Sequence, residues 1–147
     1  MKREIKFRGK VKHHDPMTNP ENGWVEGYYF QDLTQGEMRS YIFQPPCSRE
    51  VLPETVGQFT GLLDKNGKEI YEGDIIRSYD SENNPIIHSI SWDNKKACYV
   101  AIMLQYPLLG GSIDKGWIDE FEKEVIGNVF DKDFGYVIKN TKTNNIG

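Results

Sequence analysis

VGQFTGLLDKNGKEIYEGDII, residues 56–76, carries the densest structural information in the chain. Gly57, Gly61, Gly67 and Gly73 punctuate it at positions suited to tight backbone. Between them Phe59, Leu62, Ile70, Tyr71, Ile75 and Ile76 supply side chains for burial. Asp64-Lys65-Asn66-Gly67 is a strong turn signal, because Asn-Gly readily supplies the positive φ angles of a tight hairpin. Gly73 can take a left-handed conformation, and Asp74 then leads into an apolar strand over residues 75–79. The stretch therefore reads as strand, turn, strand and re-entry, which is the grammar of a small antiparallel β protein.

The flanking sequence repeats that grammar. Ile5, Phe7, Gly9 and Val11 alternate with Lys6, Arg8, Lys10 and Lys12, predicting a strand over residues 4–11 with one buried and one basic face. Residues 14–23 contain two prolines, two asparagines and a glycine, and read as loop. Residues 24–30 and 39–43 read as a hairpin that Pro45 and Pro46 stop. Residues 51–60 read as an irregular extended connector, with Pro53 pointing to a sheet edge or bend. Further strands are predicted over residues 86–92, 97–104 and 125–130, with Ile86, His88, Ile90 and Trp92 sharing one face. The best helix is residues 117–124, short and with Trp117, Phe121 and Glu124 on one side.

The fold class is thus mainly β, open to an α+β variant, with short antiparallel strands and at most one or two short helices. Residues 1–56 are expected to form an N-terminal β-hairpin region, and residues 57–131 a small lobe like an SH3 barrel. Residues 132–147 are expected to be a polar tail.

Composition narrows the function classes. The net charge is −4, which lowers the expectation of a nucleic-acid-binding protein. No stretch is long and apolar enough to span a bilayer, and no apolar run near the N-terminus serves as a signal peptide. A cytoplasmic location with Cys47 and Cys98 as free thiols is the resulting expectation. His13, His14 and Asp15 point in alternating directions on extended chain and do not converge as metal ligands. The Asp64 turn lacks the fifth- and sixth-position residues of a calcium loop. Asp119, Glu120, Glu122 and Glu124 read as a solvated acidic face. No phosphate-binding, nucleophile-elbow or dinucleotide motif is present. Neither cofactor nor metal is expected.

The 56–76 stretch, the opening REIKFRG (residues 3–9) and the late EVIGNVF (residues 124–130) together resemble the YopX family of bacteriophage and prophage proteins. Residues 10–49 and 80–122 carry nothing that matches. The resemblance implies a phage or prophage origin, a bacterial cytoplasmic location and homo-oligomers. It implies no activity, and there are no family catalytic residues to carry over.

A structural role suffices for nearly every residue of the central motif. The functional alternative is a binding surface lined by Thr60, Asp64, Lys68, Glu69 and Asp74. Outside the motif, the basic row Lys6, Arg8 and Lys10 can contact phosphates, with Trp24, Tyr28 or Tyr29 for stacking. Charged outer strand faces are common for solubility alone. The leading expectation is a non-enzymatic accessory protein that binds a host or phage protein. A nucleic-acid-binding module using the first strand is the first rival, and an enzyme with an unrecognised site the second. Self-association is expected through residues 24–30 and 41–43, in the half expected to lack a complete core.

Overall fold

The computed structural model describes residues 2–133. The chain divides into two compact units, residues 1–61 and residues 62–147. The division falls inside a strand. The regular structure of the described part is mainly antiparallel strand, as expected of a mainly β chain.

The first unit contains β1 (Phe7–Lys10), β2 (Trp24–Thr34), β3 (Glu37–Gln44) and β4 (Cys47–Val51). It also contains most of β5 (Gly57–Leu63). Its strands lie in the order β4-β3-β2-β1-β5. β2 and β3 form a long hairpin in register from Tyr28↔Phe43 to Thr34↔Glu37. Gln35 and Gly36, both at positive φ, make its two-residue turn. Pro45-Pro46 stops the first hairpin just after Gln44, as expected, but the sheet continues beyond it. The pair's cis peptide forms the tip of a second hairpin, which brings Gln44 opposite Cys47. The expected connector over residues 51–60 is likewise ordered: a single 3-10 turn, Pro53–Thr55, leads into β5.

β4 then closes back onto β1. Val51 bridges Val11. Leu52 N–H donates to the Lys10 carbonyl at 2.8 Å, and Lys12 N–H to the Glu50 carbonyl at 2.9 Å. The four strands therefore form a closed ring around Val11, Val25, Ile42 and Val51, with Phe7, Tyr29 and Val56 packed against them. A β-carbon on Gly9 would sit 3.2 Å from the Val51 side chain, so β1 carries a glycine where it passes closely over Val51. The N-terminal half has a core of its own, contrary to expectation.

The second unit contains the end of β5, β6 (Glu69–Tyr71), β7 (Asp74–Tyr79), β8 (Pro85–Asp93) and β9 (Cys98–Met103). It continues through β10 (Gly110–Ser112), the helix α1 (Lys115–Asp119) and β11 (Glu124–Asn128). Its sheet has the order β10-β9-β8-β7-β11. Ile70, Ile76, Ile90, Ala101 and Ile118 form the core, flanked by Leu62, Ile113, Trp117 and Val125. Each fully buried aliphatic side chain contributes about 1.5–3 kcal/mol relative to exposure.

Several expected boundaries shift for identifiable reasons. The helix begins earlier, because the Asp114 carboxylate accepts from the Trp117 N–H at 2.8 Å and caps it. It stops at Asp119, because Phe121 and Glu122 both take positive φ. The last strand is broken by a bulge between Val125 and Gly127. In β8 both Ile87 and His88 are buried, while Trp92 is exposed and meets Tyr99 edge-on at 5.0 Å.

Candidate functional site

Asp64 lies at the start of the turn between β5 and β6. Only Gly67 of that turn has positive φ, at +79°. The Gly67 N–H donates to the Asp64 carbonyl, and the Asp64 N–H to the Lys68 carbonyl. This is a three-residue hairpin loop ending in a left-handed glycine rather than a two-residue Asn-Gly turn. The Asp64 side chain is buried. One carboxylate oxygen accepts from the N–H groups of Asn66 (2.8 Å) and Lys68 (2.9 Å). The other accepts from the Val125 N–H at 2.9 Å. The Lys65 N–H donates to the Lys123 carbonyl, and its ammonium lies 3.2 Å from Glu124.

Asp74 makes a second tie of the same kind. It is wholly buried. Its carboxylate accepts from the Tyr71 N–H at 2.8 Å and from the Asn128 side-chain amide at 3.1 Å. Asn128 in turn accepts from the Phe130 N–H, and its own N–H donates to Asp131. Gly73, at φ +83°, is packed so closely that a β-carbon would lie 3.1 Å from the Asn128 amide nitrogen. Glu124 is held below the usual carboxylate range by hydrogen bonds from Lys65 and Arg77, the latter at 2.6 Å. Two distant stretches of the second unit, residues 64–74 and 124–131, are thus one polar knot.

That geometry removes Asp64 and Asp74 from the expected binding surface. Their oxygens are engaged by backbone and amide donors inside the second unit. Of the remaining motif residues there, Lys68 is exposed in the turn, and Glu69 accepts from the Tyr71 hydroxyl at 2.8 Å. Thr60, in the first unit, is half-buried. Asp64 and Asp74 are structural ties.

The first unit does assemble a surface. On the outside of the ring, Lys6, Arg8 and Lys10 line β1, and the outward residues of β2 and β3 continue the row. The Arg8 guanidinium stands 4.7 Å from the Trp24 ring centre, and the Lys10 ammonium 5.5 Å from the same ring. Lys6 covers Phe59 at 5.1 Å. Tyr28 pairs with Phe43, and Phe30 with Tyr41. The second pair stacks at 5.2 Å with planes 15° apart. Tyr28 is 63% and Phe30 40% exposed. Sequence alternation places Trp24, Tyr28 and Phe30 together, but Tyr29 belongs inside. It packs against Phe7, with its hydroxyl 3.2 Å from that of buried Ser40.

The charges on this outer face alternate in sign. Lys6 pairs with Glu4, and Lys12 with Glu50. Arg39 lies near Glu37 and Glu50. Arg8 is opposite Glu26, and Arg39 opposite Asp32. Acidic and basic residues balance over residues 1–61, so the net charge of −4 resides in residues 62–147. The basic strand is therefore part of a mixed, aromatic face rather than a positive groove.

One further cluster escaped sequence reasoning. In the second unit, His88 meets the Trp117 ring edge-on at 5.3 Å, and the Lys123 ammonium lies 4.5 Å over the same ring. Burial, aided by Lys123, pushes the His88 imidazole down to about 4. Burial also lowers Lys123, against an opposite pull from Glu120. Nothing in the local sequence signals a meeting of residues on β8, α1 and the segment before β11.

Among the described residues, no three His, Cys, Asp or Glu side chains are grouped to hold a metal ion. No helix among them is long and apolar enough to cross a membrane. No curated protein matches the chain. The YopX protein family does match, over residues 6–133. That span holds the ring, the polar knot and both cores, and the chain belongs to the YopX family.

Proposed function

We propose that this protein is a non-enzymatic accessory protein that acts by binding another polypeptide through the outer face of its first unit. The observation that carries the reading is the exposed pair Tyr28 and Phe30, with half-buried Tyr41 stacked on Phe30, set among charges of both signs. Tyrosine, phenylalanine, tryptophan and arginine are the side chains enriched where proteins meet. A nucleic-acid site would call for a continuous excess of cations, and here acidic partners answer the basic row. The family resemblance supports a phage or prophage setting and a bacterial cytoplasmic location.

A second copy of the chain is the first polypeptide to consider. Along the face, basic and acidic residues stand opposite one another, Arg8 across from Glu26 and Arg39 across from Asp32. A face that carries both signs around an aromatic group can meet a copy of itself about a two-fold axis, and such self-complementarity is what a symmetric dimer requires.

The test is capture on immobilised protein from lysogenic or infected cells, with and without nuclease, beside a Tyr28→Asp variant. A polypeptide retained after nuclease and lost with the variant supports the reading. Retention that vanishes with nuclease would assign the face to nucleic acid and overturn it.

A further inference from the structure

We draw no further inference here: the strongest candidate, the exposed Tyr106, Leu108 and Leu109 patch at the tip of the β9–β10 hairpin, is an unpartnered apolar surface, and nothing in the structure shows what covers it.

Discussion

The Asp64 carboxylate accepts the Val125 N–H at 2.9 Å across 61 residues of sequence. It simultaneously holds the Asn66 and Lys68 N–H groups of its own turn. One side chain thus sets a local turn and fixes the start of a remote strand. A buried carboxylate is suited to this, since hydrogen bonds to a charged acceptor are stronger than neutral ones.

Asp64→Ala leaves three backbone donors without that acceptor. The expected loss is about 3 kcal/mol, given about 1–3 kcal/mol for each stranded buried group and partial rescue by water. Urea unfolding measures it as a lower midpoint with an unchanged slope. A midpoint within error of the parent would mean that the tie to Val125 contributes nothing.

Gly67 and Gly73 separate two causes of glycine preference. A β-carbon at Gly67 meets nothing within 4 Å, so only its φ of +79° resists substitution. Gly67→Val should cost on the order of 1 kcal/mol or more, and Gly67→Asn less, because asparagine tolerates the left-handed region. Gly73→Ala adds a close contact with Asn128 and should lower the melting temperature further than Gly67→Ala. Equal shifts for the two alanine variants would contradict the packing assigned to Gly73.

Acid should weaken the second unit through His88. Its folded value of about 4 lies below the ordinary 6.5, so the folded state resists a proton that the unfolded state accepts. The contribution is constant above about pH 7, falls as pH drops through 6.5, and levels off below 4. The full span amounts to about 3 kcal/mol. The carboxylates with lowered values, such as Glu124, lose their own contribution mainly at lower pH. Chemical denaturation at pH 7 and pH 5 should show a gap that narrows in His88→Gln. An undiminished gap in that variant would place the sensitivity elsewhere.

Tyr28→Asp should abolish self-association while leaving the melting temperature nearly unchanged, since the ring is largely exposed and the core lies on the other side of the sheet. Light scattering over a wide dilution series reads the outcome. A parent protein of monomer mass throughout would rule out the two-fold contact, leaving capture of a different polypeptide as the separate question.

Legibility in the sequence tracked the range of the forces involved. β7 and β8 were readable as strands because an apolar run bounded by turn residues is a local signal, but alternation misplaced His88 and Trp92 on one face and left Tyr29 grouped with Trp24 and Tyr28. Pro45 and Pro46 were legible as the end of the first hairpin but not as the reversal into β4, because a proline pair stops a ladder without announcing a further strand. Helix length was overestimated because the left-handed pair Phe121–Glu122 has no glycine to announce it. The ring closure at Val11 and Val51, the His88–Trp117–Lys123 cluster and the roles of Asp64 and Asp74 all depend on contacts between distant segments. For the two aspartates, solvent-facing and buried positions look alike until their donors arrive.

The polar knot also constrains the order in which the chain can fold during its synthesis. Residues 1–61 enclose their own core and can fold while the ribosome is still translating the second unit. Residues 62–123 cannot complete theirs. Until Val125 and Asn128 emerge, Asp64 and Asp74 hold only their local donors, and one carboxylate oxygen of each lacks the partner that later segments supply. A nascent chain stalled in that interval would carry a finished first unit and an unfinished second one, exposed to proteases until the last strand is delivered.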